Sequence, residues 1–217
     1  LHNLVAPYQG EPDYVRLQSR IADLSSDLHA DEVIHFCLEA LNAHASTRER
    51  VPINAEFYPR LFESTGTPAV ILDLACGLNP FSLPWMNLPH STQYFAYDLH
   101  QPRIDFINAF FEHFGQAGRA IKQDILLDPP SNNPATVFFF KEAHRFEQRE
   151  NGSVRSFLRR LASRQILLSL PVETLSGRRS MLDQDRRLVA SACADTNWLV
   201  TELLFSTEIV FFIRKDA

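Results

Sequence analysis

A glycine turn that follows a short apolar segment is the feature that most constrains how this chain can fold. The apolar segment is residues 69–72, and Cys76 and Gly77 follow it within the stretch Val70-Ile-Leu-Asp-Leu-Ala-Cys-Gly-Leu-Asn-Pro80. A short, bounded apolar run is typical of a strand that is buried on both faces of a parallel sheet. Glycine permits a positive φ and lets a ligand approach the backbone closely. The stretch therefore predicts a first strand and a ligand-facing turn in an α/β sheet.

An acidic residue follows this turn at the spacing that nucleoside-binding sheets use. Asp98 ends a second apolar segment, residues 93–97, and an acid about 20 residues after a glycine turn accepts ribose hydroxyls in Rossmann-like sheets. One glycine stands where dinucleotide-binding proteins have three, so no pyrophosphate cradle is predicted. The pattern favours S-adenosylmethionine (SAM) as the ligand. An ordinary strand and turn with an unrelated surface Asp is the alternative that stays open at this point.

Length and composition indicate one globular domain with a modest appendage. The chain has 217 residues, of which 45% are apolar and 22% are charged, as in ordinary soluble proteins. Its apolar runs are far shorter than a membrane span, and no segment resembles a secretory signal. Its three cysteines have no metal-ligand spacing, and their odd number does not suggest a disulfide framework. We therefore expect a cytoplasmic protein with reduced thiols, no membrane contact and no metal, although its first residue, Leu1, leaves open whether the natural N-terminus is included.

Charge is distributed unevenly along the chain. The net charge is −5, but residues 141–187, the basic zone, hold 11 Lys and Arg against 6 Asp and Glu, whereas the remainder holds 10 against 20. A basic zone on an acidic body indicates a surface that faces a polyanion. Solvated helices rich in arginine would give the same pattern, so both interpretations stay open on charge alone.

The region before the sheet is predicted to be helical. Apolar residues recur at three- and four-residue steps between residues 14 and 28, which indicates an amphipathic helix. Asp31 is expected to cap a second helix, and Ser46 and Glu49 have the spacing of a capping box. Residues 1–65 are therefore predicted to form a small helical appendage.

Apolar segments that alternate with helical patterns predict the rest of the sheet. The predicted strands are residues 69–72, 93–97, 120–126, 136–140 and 165–170, followed by a hairpin of residues 198–205 and 208–213. Segment 136–140 is apolar throughout, so we expect it at the centre of the sheet, where it delivers Lys141 to the edge that carries Gly77. This order predicts a seven-stranded Rossmann-like α/β sheet with a terminal antiparallel hairpin, the layout of SAM-dependent methyltransferases, over residues 66–217.

Several distinctive motifs lie within residues 42–215. They are His44-Ala-Ser-Thr-Arg-Glu-Arg50, Leu72-Asp-Leu-Ala-Cys-Gly-Leu-Asn-Pro80, Tyr97-Asp-Leu-His-Gln101, Gln123-Asp-Ile-Leu126 and Thr201-Glu-Leu203. Lys141 and Glu147 add a Lys-x5-Glu spacing. Together these motifs resemble those of the aminoglycoside-resistance 16S ribosomal RNA (rRNA) methyltransferases, which methylate a guanine N7 in the decoding site of the 30S subunit.

The resemblance implies that SAM is the cofactor and that a defined set of residues binds it. These residues are Arg50, Asp73, Ala75, Gly77, Asp98, Leu99, Asp124 and Ile125. Asp98 would accept the ribose hydroxyls, and Asp124 with Ile125 would hold the adenine. Arg50 would pair with the cofactor carboxylate, which an arginine fork suits geometrically. Asp73 would either hold the cofactor amine or brace the turn, and both roles stay open.

The resemblance also implies how the reaction and the substrate are handled. Guanine N7 has an in-plane lone pair and no proton to lose, so attack on the methyl group needs alignment and electrostatics rather than a general base. Glu147 is predicted to stabilise the positive charge that develops on the base, and Lys141 to hold a phosphate or the base O6; an ordinary surface arrangement is the alternative for this pair. Arg178 and Arg179, in a loop at the same sheet edge, are candidates for contacts with the RNA backbone.

The chain departs from the family pattern in three places. The family has a longer N-terminal extension that docks on the small ribosomal subunit, a role for which residues 1–65 are the segment present here. Loop 175–181 has one glycine fewer, and charged residues follow the fourth strand where the family is mostly apolar. Two alternatives therefore stay open: a methyltransferase of the same fold that acts on a small molecule or another RNA, and a catalytically silent module that binds SAM or RNA.

Overall fold

The computed structural model of the chain describes residues 12–131, 135–172 and 181–215. Its helices are α1 (Tyr14–Ile21), α2 (Asp31–Asn42), α3 (Ala45–Arg48), α4 (Asn54–Thr65), α5 (Leu83–Met86), α6 (Gln101–His113), α7 (Ala143–Arg149), α8 (Ser153–Arg160) and α9 (Leu182–Ala192). Its strands are β1 (Val70–Leu74), β2 (Gln93–Asp98), β3 (Gly118–Lys122), β4 (Thr136–Phe140), β5 (Gln165–Pro171), β6 (Leu199–Leu204) and β7 (Glu208–Arg214).

The strands form one sheet in the order β3-β2-β1-β4-β5-β7-β6. The first five pair in parallel, whereas β7 is antiparallel to both β5 and β6. This arrangement confirms the predicted α/β sheet with its terminal antiparallel hairpin. Strand β4 lies in the middle of the order and is buried at every position, as its uninterrupted apolar sequence predicts. The strand order reverses between β1 and β4, so a crevice is expected at their carboxyl ends.

Helices cover both faces of the sheet and bury it in two hydrophobic clusters. On one face, Phe36 of α2 packs against Phe106 of α6, with ring centroids 6.1 Å apart. On the other face, Phe139 of β4 contacts Phe146 of α7 and Phe157 of α8 at 5.0 and 5.1 Å. The helices before β1 thus share a core with the sheet, and the predicted boundary after residue 65 falls at the end of α4.

The N-terminal helices differ in detail from the sequence prediction. Helix α1 ends at Ile21, so Leu24 and Leu28 pack on the core from the connecting turn rather than from the helix. Ala30, not Asp31, is the N-cap of α2, and it makes no side-chain capping bond. Asp31 instead lies in the first turn, where a negative charge is favourable because it faces the positive end of the helix dipole.

The predicted capping box is also absent from the described residues. The N-cap of α3 is His44, and its ring Nδ1 lies 2.9 Å from the hydroxyl of Ser46, so Ser46 caps nothing. Glu49 accepts a hydrogen bond from the ammonium group of Lys141 at 2.9 Å. Glu49 therefore bonds Lys141, which follows β4, instead of the helix backbone that the local pattern predicts.

The third strand is shorter than predicted because a side-chain turn ends it. Strand β3 stops at Lys122, and the carboxylate of Asp124 then accepts the backbone N–H of Leu126 at 3.0 Å. Such a turn competes with strand pairing. Residues 123–126 consequently form a loop at the carboxyl edge of the sheet. Across the described part of the chain, no helix has the length and apolar character needed to cross a membrane.

Candidate active site

A cleft opens at the carboxyl edge of β1, β2 and β3. It encloses about 810 Å³ of empty space, including open solvent at its mouth. Its lining comprises His44, Ser46, Ala75, Gly77, Tyr97, Asp98, Leu99, Arg103, Gln123, Asp124, Ile125, Leu126, Glu142, Arg145, Phe146 and Arg149. Six of the eight residues that the sequence predicts to bind the cofactor are in this set: Ala75, Gly77, Asp98, Leu99, Asp124 and Ile125. Their cofactor contacts remain a prediction, but the fold brings them into one cavity.

The turn after β1 is strained where it faces the cleft. Ala75 and Gly77 have φ angles of +53° and +54°, a region that residues with a side chain rarely adopt. The N–H of Cys76 donates to the carbonyl of Tyr97 at 2.9 Å and ties the turn to β2. A Cβ on Gly77 would lie 3.3 Å from His44 Cε1. Glycine is therefore favoured here by the backbone angle and by the close approach of the His44 side chain.

The carboxylate of Asp98 is held by donors from the turn and from helix α6. One oxygen accepts the N–H of Gly77 at 3.2 Å and an Arg103 nitrogen at 2.8 Å, and the other accepts the N–H of His100 at 2.9 Å. A carboxylate offers about four acceptor positions, so one stays available. The arrangement fits the predicted acceptor of ribose hydroxyls.

The loop after β3 forms an adjoining wall of the cleft. Leu99 and Ile125 offer it apolar side chains from the ends of β2 and β3, which suits an adenine ring. One oxygen of Asp124 is engaged by the loop backbone. From outside the cleft, Arg160 of α8 donates to the carbonyls of Leu126 and Leu127 at 2.5 and 2.8 Å. The loop is thus fixed on its outer side.

Arg50 belongs to a buried ion pair and not to the cleft lining. It is only 2% exposed, and its Nε and Nη2 donate to the two oxygens of Glu208 on β7 at 2.5 and 2.9 Å. Its Nη1 donates to Asn79 at 2.6 Å, and its guanidinium lies 4.5 Å from each of the rings of Phe57 and Phe140. These contacts occupy the guanidinium in this structure, and its pairing with the cofactor carboxylate stays a prediction.

The ion pair with Arg50 favours the charged form of the Glu208 carboxyl. Burial alone would raise the pKa of Glu208, but the Arg50 guanidinium holds the pKa of that carboxyl below its usual value. A paired charge is the form in which a buried carboxylate and a buried guanidinium are tolerated. The pair therefore joins the motif around Arg50 to the C-terminal hairpin of the sheet.

Asp73 braces the turn. It is buried, and its carboxylate accepts hydrogen bonds from the hydroxyl of Tyr94 at 2.6 Å and from the side-chain amide of Asn79 at 2.9 Å. Burial raises the pKa of Asp73 to about 6, although both donors and Arg50 oppose the shift. Asp73 does not line the cleft. Of the two roles left open by the sequence, the structural one is supported.

The predicted catalytic pair does not line the cleft either. The Lys141 ammonium donates to the carbonyl of Ser46 at 3.1 Å and to Glu49 at 2.9 Å. The Glu147 carboxylate accepts the N–H groups of Gly152 and Val154 at 2.6 and 3.3 Å, at the start of α8. Both side chains have structural contacts, and their catalytic roles stay a prediction. Arg178 and Arg179 lie outside the described residues.

Four charged residues of the cleft, Arg103, Glu142, Arg145 and Arg149, have no role predicted from the sequence. Glu142 follows β4, and burial raises the pKa of its carboxyl, which Arg145 opposes through a hydrogen bond of 2.9 Å. Arg145 and Arg149 lie four residues apart on α7 and both line the cleft. Glu142 and Arg145 belong to the charged sequence after the fourth strand, which departs from the family pattern. Its position beside the cleft depends on how α7 folds back over β4.

A histidine–aspartate pair outside the cleft lining joins α7 to another helix. His144 Nε2 is 2.6 Å from Asp185 Oδ1, and Asp185 is fully buried. The pair connects α7 to α9. Its members are 41 residues apart, so no local motif reveals it. No cluster of metal-ligating side chains occurs in residues 12–131, 135–172 and 181–215.

The cleft residues fit SAM. Gly77 has no side chain and lets a ligand approach the backbone. Asp98 supplies an anchored acceptor, and Leu99 and Ile125 supply apolar contacts. Arg145, Arg149 and Arg103 add positive charge at the same cavity, where a carboxylate or phosphate would be favourable.

Comparison with known proteins gives a consistent result. The model of the FmrO ribosomal RNA methyltransferase family matches residues 1–213. The chain is 30% identical to a 16S rRNA (guanine(1405)-N(7))-methyltransferase of Micromonospora echinospora over 94% of the chain and 75% of the relative. It is 31% identical to the enzyme of the same name from Proteus mirabilis, over 82% of the chain and 67% of the relative.

Solved structures show the same fold. The 16S rRNA methyltransferase RmtF in complex with S-adenosyl-L-homocysteine superposes with a TM-score of 0.77 at 25% identity, over 94% of this chain and 75% of that one. The 16S rRNA methylase RmtB superposes with a TM-score of 0.74 at 22% identity, over 95% and 76% of the two chains.

Proposed function

The chain belongs to the FmrO family of ribosomal RNA methyltransferases, and on that premise we propose that it transfers a methyl group from SAM to N7 of a guanine in 16S rRNA. The observation that carries this proposal is the cleft in which Gly77, Asp98, Leu99 and Ile125 meet at the carboxyl edge of the sheet. The names of its relatives give the target as guanine 1405. Family membership favours this substrate over the small-molecule alternative.

The protein's part in the reaction is to bind and to align. When bound, SAM supplies an electrophilic methyl group. Asp98 orients the cofactor through the ribose, and Leu99 and Ile125 exclude water from around the adenine. Because the N7 lone pair lies in the plane of the base and no proton leaves, no side chain has to act as a general base. This division of work agrees with the absence of Lys141 and Glu147 from the cleft lining.

The RNA is proposed to approach along the basic zone. Arg145 and Arg149 line the cleft from α7, and Arg178 and Arg179 precede α9 in the sequence. Arginine contacts with phosphate would fix the register of the RNA, while the cleft itself receives the target base.

We further propose that the substrate is the assembled 30S subunit and that the protein acts in the cytoplasm. Residues 1–65 would contribute to docking, and methylation of the decoding site would give resistance to aminoglycosides. The acidic charge of the remaining chain opposes binding to naked RNA, so a folded surface with matching shape is needed in addition to charge.

The test is methyl transfer to purified substrates. The protein is incubated with tritiated SAM and either 30S subunits or protein-free 16S rRNA, and the modified base is located by borohydride and aniline cleavage followed by reverse transcription. We expect label in the 30S subunits at one guanine of the decoding site and little in the free rRNA. If the protein binds SAM but labels no guanine in either substrate, the silent-module alternative replaces this proposal.

A further inference from the structure

A tyrosine of the N-terminal helix reaches the cleft through an arginine. Tyr14 of α1 is 7% exposed, and its hydroxyl accepts a hydrogen bond from Arg103 Nε at 3.1 Å. Its ring packs against His100 and Phe106, with centroids 5.4 and 5.9 Å apart. The side chain is thus held between α1 and the first turns of α6.

Arg103 connects this tyrosine to the acceptor in the cleft. It is 5% exposed, lines the cleft, and donates from Nη1 to Asp98 Oδ2 at 2.8 Å. A guanidinium is planar and its five N–H groups are fixed relative to one another. A bond at Nε therefore helps to fix the direction in which Nη1 points. Two hydrogen bonds, from Arg103 to Tyr14 and from Arg103 to Asp98, therefore connect α1 to the acceptor in the cleft.

We propose that Tyr14 and Arg103 are positioning residues for the cofactor: α1 orients the Arg103 guanidinium, and Arg103 holds the Asp98 carboxylate in place beside the Gly77 turn. This inference rests on the cofactor site of the proposed function. It makes the N-terminal helix part of the binding site as well as a candidate docking segment. Because linkage is reciprocal, cofactor binding must in turn stabilise the packing of α1 against α6.

The test measures S-adenosylhomocysteine binding by calorimetry in the full chain. Tyr14→Phe keeps the ring and removes the hydroxyl, and we expect it to raise Kd roughly 3- to 10-fold, the range for one hydrogen bond. Arg103→Gln should raise Kd roughly 10-fold or more. The double variant should bind no more weakly than Arg103→Gln alone, because Tyr14 acts through Arg103. Arg20→Gln, which breaks an ion pair between α1 and Glu39 of α2, is the matched control and should leave Kd unchanged.

Two further measurements separate positioning from general destabilisation. In Tyr14→Phe the KM for SAM should rise while kcat at saturating SAM stays at the wild-type value. Amide exchange in α1 should slow when S-adenosylhomocysteine is added to the wild type, and should slow less in Arg103→Gln. If Arg103→Gln does not fold, Arg103→Lys takes its place in the cycle.

The outcomes distinguish this inference from the proposed function. Equal affinity in wild type and Tyr14→Phe, or effects of the two substitutions that multiply, would overturn the inference while leaving methyl transfer to 30S subunits intact. A wild type that binds no S-adenosylhomocysteine would overturn both this inference and the cofactor site. Methylation that fails with an intact Kd and an intact double-variant cycle would overturn the rRNA substrate alone.

Discussion

At the scale of single residues, the carboxylate of Asp98 is held in one orientation by the protein without any ligand. Backbone N–H groups of Gly77 and His100 and the guanidinium of Arg103 all donate to it. Hydrogen bonds to a charged group are worth more than those between neutral groups. The orientation of Asp98 is therefore fixed by the protein, and the cofactor does not have to order it.

Replacing Asp98 by Ala should weaken SAM binding by roughly 1.5–3 kcal/mol, the range for hydrogen bonds to a charged group. Calorimetric titration of the purified variant measures this difference directly. Asp105→Ala is the matched control, because Asp105 is an exposed carboxylate on the following helix α6 and its side chain accepts a hydrogen bond from Gln101. Equal SAM affinity in Asp98→Ala and in Asp105→Ala would remove Asp98 from the binding site.

The buried Asp73 should make stability depend on pH. Burial raises its pKa in the folded protein from 3.8 to about 6, so the folded state binds the proton more tightly than the unfolded state. The stability gained from protonation is fully present below the unfolded pKa and is lost as pH rises through about 6, a change on the order of 3 kcal/mol at most. Urea unfolding of wild type and Asp73→Asn between pH 4 and 7 measures it. The difference between the two free energies of unfolding should change across that window, and parallel curves would contradict the assignment.

Individual site residues could be predicted from the sequence only where a local strand and turn pattern fixes their position at the cleft. Gly77 and Asp98 follow directly from a strand and its turn, so pattern and spacing place them correctly at the cleft. Arg50 does not, because its partner Glu208 is 158 positions away and pairing over such a distance leaves no local trace. The motif identifies Arg50 as distinctive, whereas its ion pair with Glu208 is seen only in the structure.

At the scale of elements, the loop after β3 depends on a helix that never enters the cleft. Arg160 of α8 donates to the carbonyls of Leu126 and Leu127 and so holds the loop that carries Asp124 and Ile125. Removing those donors frees the loop without touching a cleft side chain. The apolar residues of segment 120–126 predict a third strand that continues through this loop. Their pattern does not reveal the turn that Asp124 makes.

Arg160→Ala should therefore raise the Kd for SAM roughly 3- to 10-fold, the effect expected when a binding loop must be ordered by the ligand. Arg159→Ala is the control on the same helix, since Arg159 contacts only the carbonyl of Ala194 among the bonds described for it, at 3.4 Å. Isothermal calorimetry on both variants provides the comparison. If the two variants bind SAM equally well, Arg160 contributes nothing to the loop that binding requires.

A single substitution of Glu147 can distinguish a structural role of its side chain from a catalytic one. Its carboxylate satisfies the N–H groups of Gly152 and Val154 at the start of α8, the function of a capping residue. Glu147→Ala should lower the free energy of unfolding by about 1 kcal/mol and leave kcat at its wild-type value. Chemical denaturation and a single-turnover methylation assay measure the two quantities. A large loss of kcat with unchanged stability would restore the catalytic role.

At the scale of the whole molecule, charge distinguishes the surface proposed to meet RNA from the rest. The basic zone of residues 141–187 contains α7 and α8, and α7 forms one wall of the cleft. The remainder carries twice as many acidic as basic residues. Such an asymmetry orients a polyanion toward the cleft and disfavours binding elsewhere. To modify a single guanine in a large RNA, the protein must orient the RNA relative to its cleft, and strong overall attraction would not achieve this.

The double variant Arg178→Gln, Arg179→Gln tests this orientation on the true assembly. We expect the KM for 30S subunits to rise, and the salt dependence of binding to fall by about 1 in slope for each phosphate contact that is lost. SAM affinity should stay at the wild-type value, because these arginines are proposed to contact phosphate and not the cofactor. Arg60→Gln, Arg214→Gln removes the same charge outside the basic zone and serves as the control. Filter binding across a salt series, with calorimetry for SAM, gives all three quantities. If both double variants weaken 30S binding equally, net charge alone explains the effect and the basic zone has no special role in docking; if only Arg178→Gln, Arg179→Gln does so, the RNA lies against that surface.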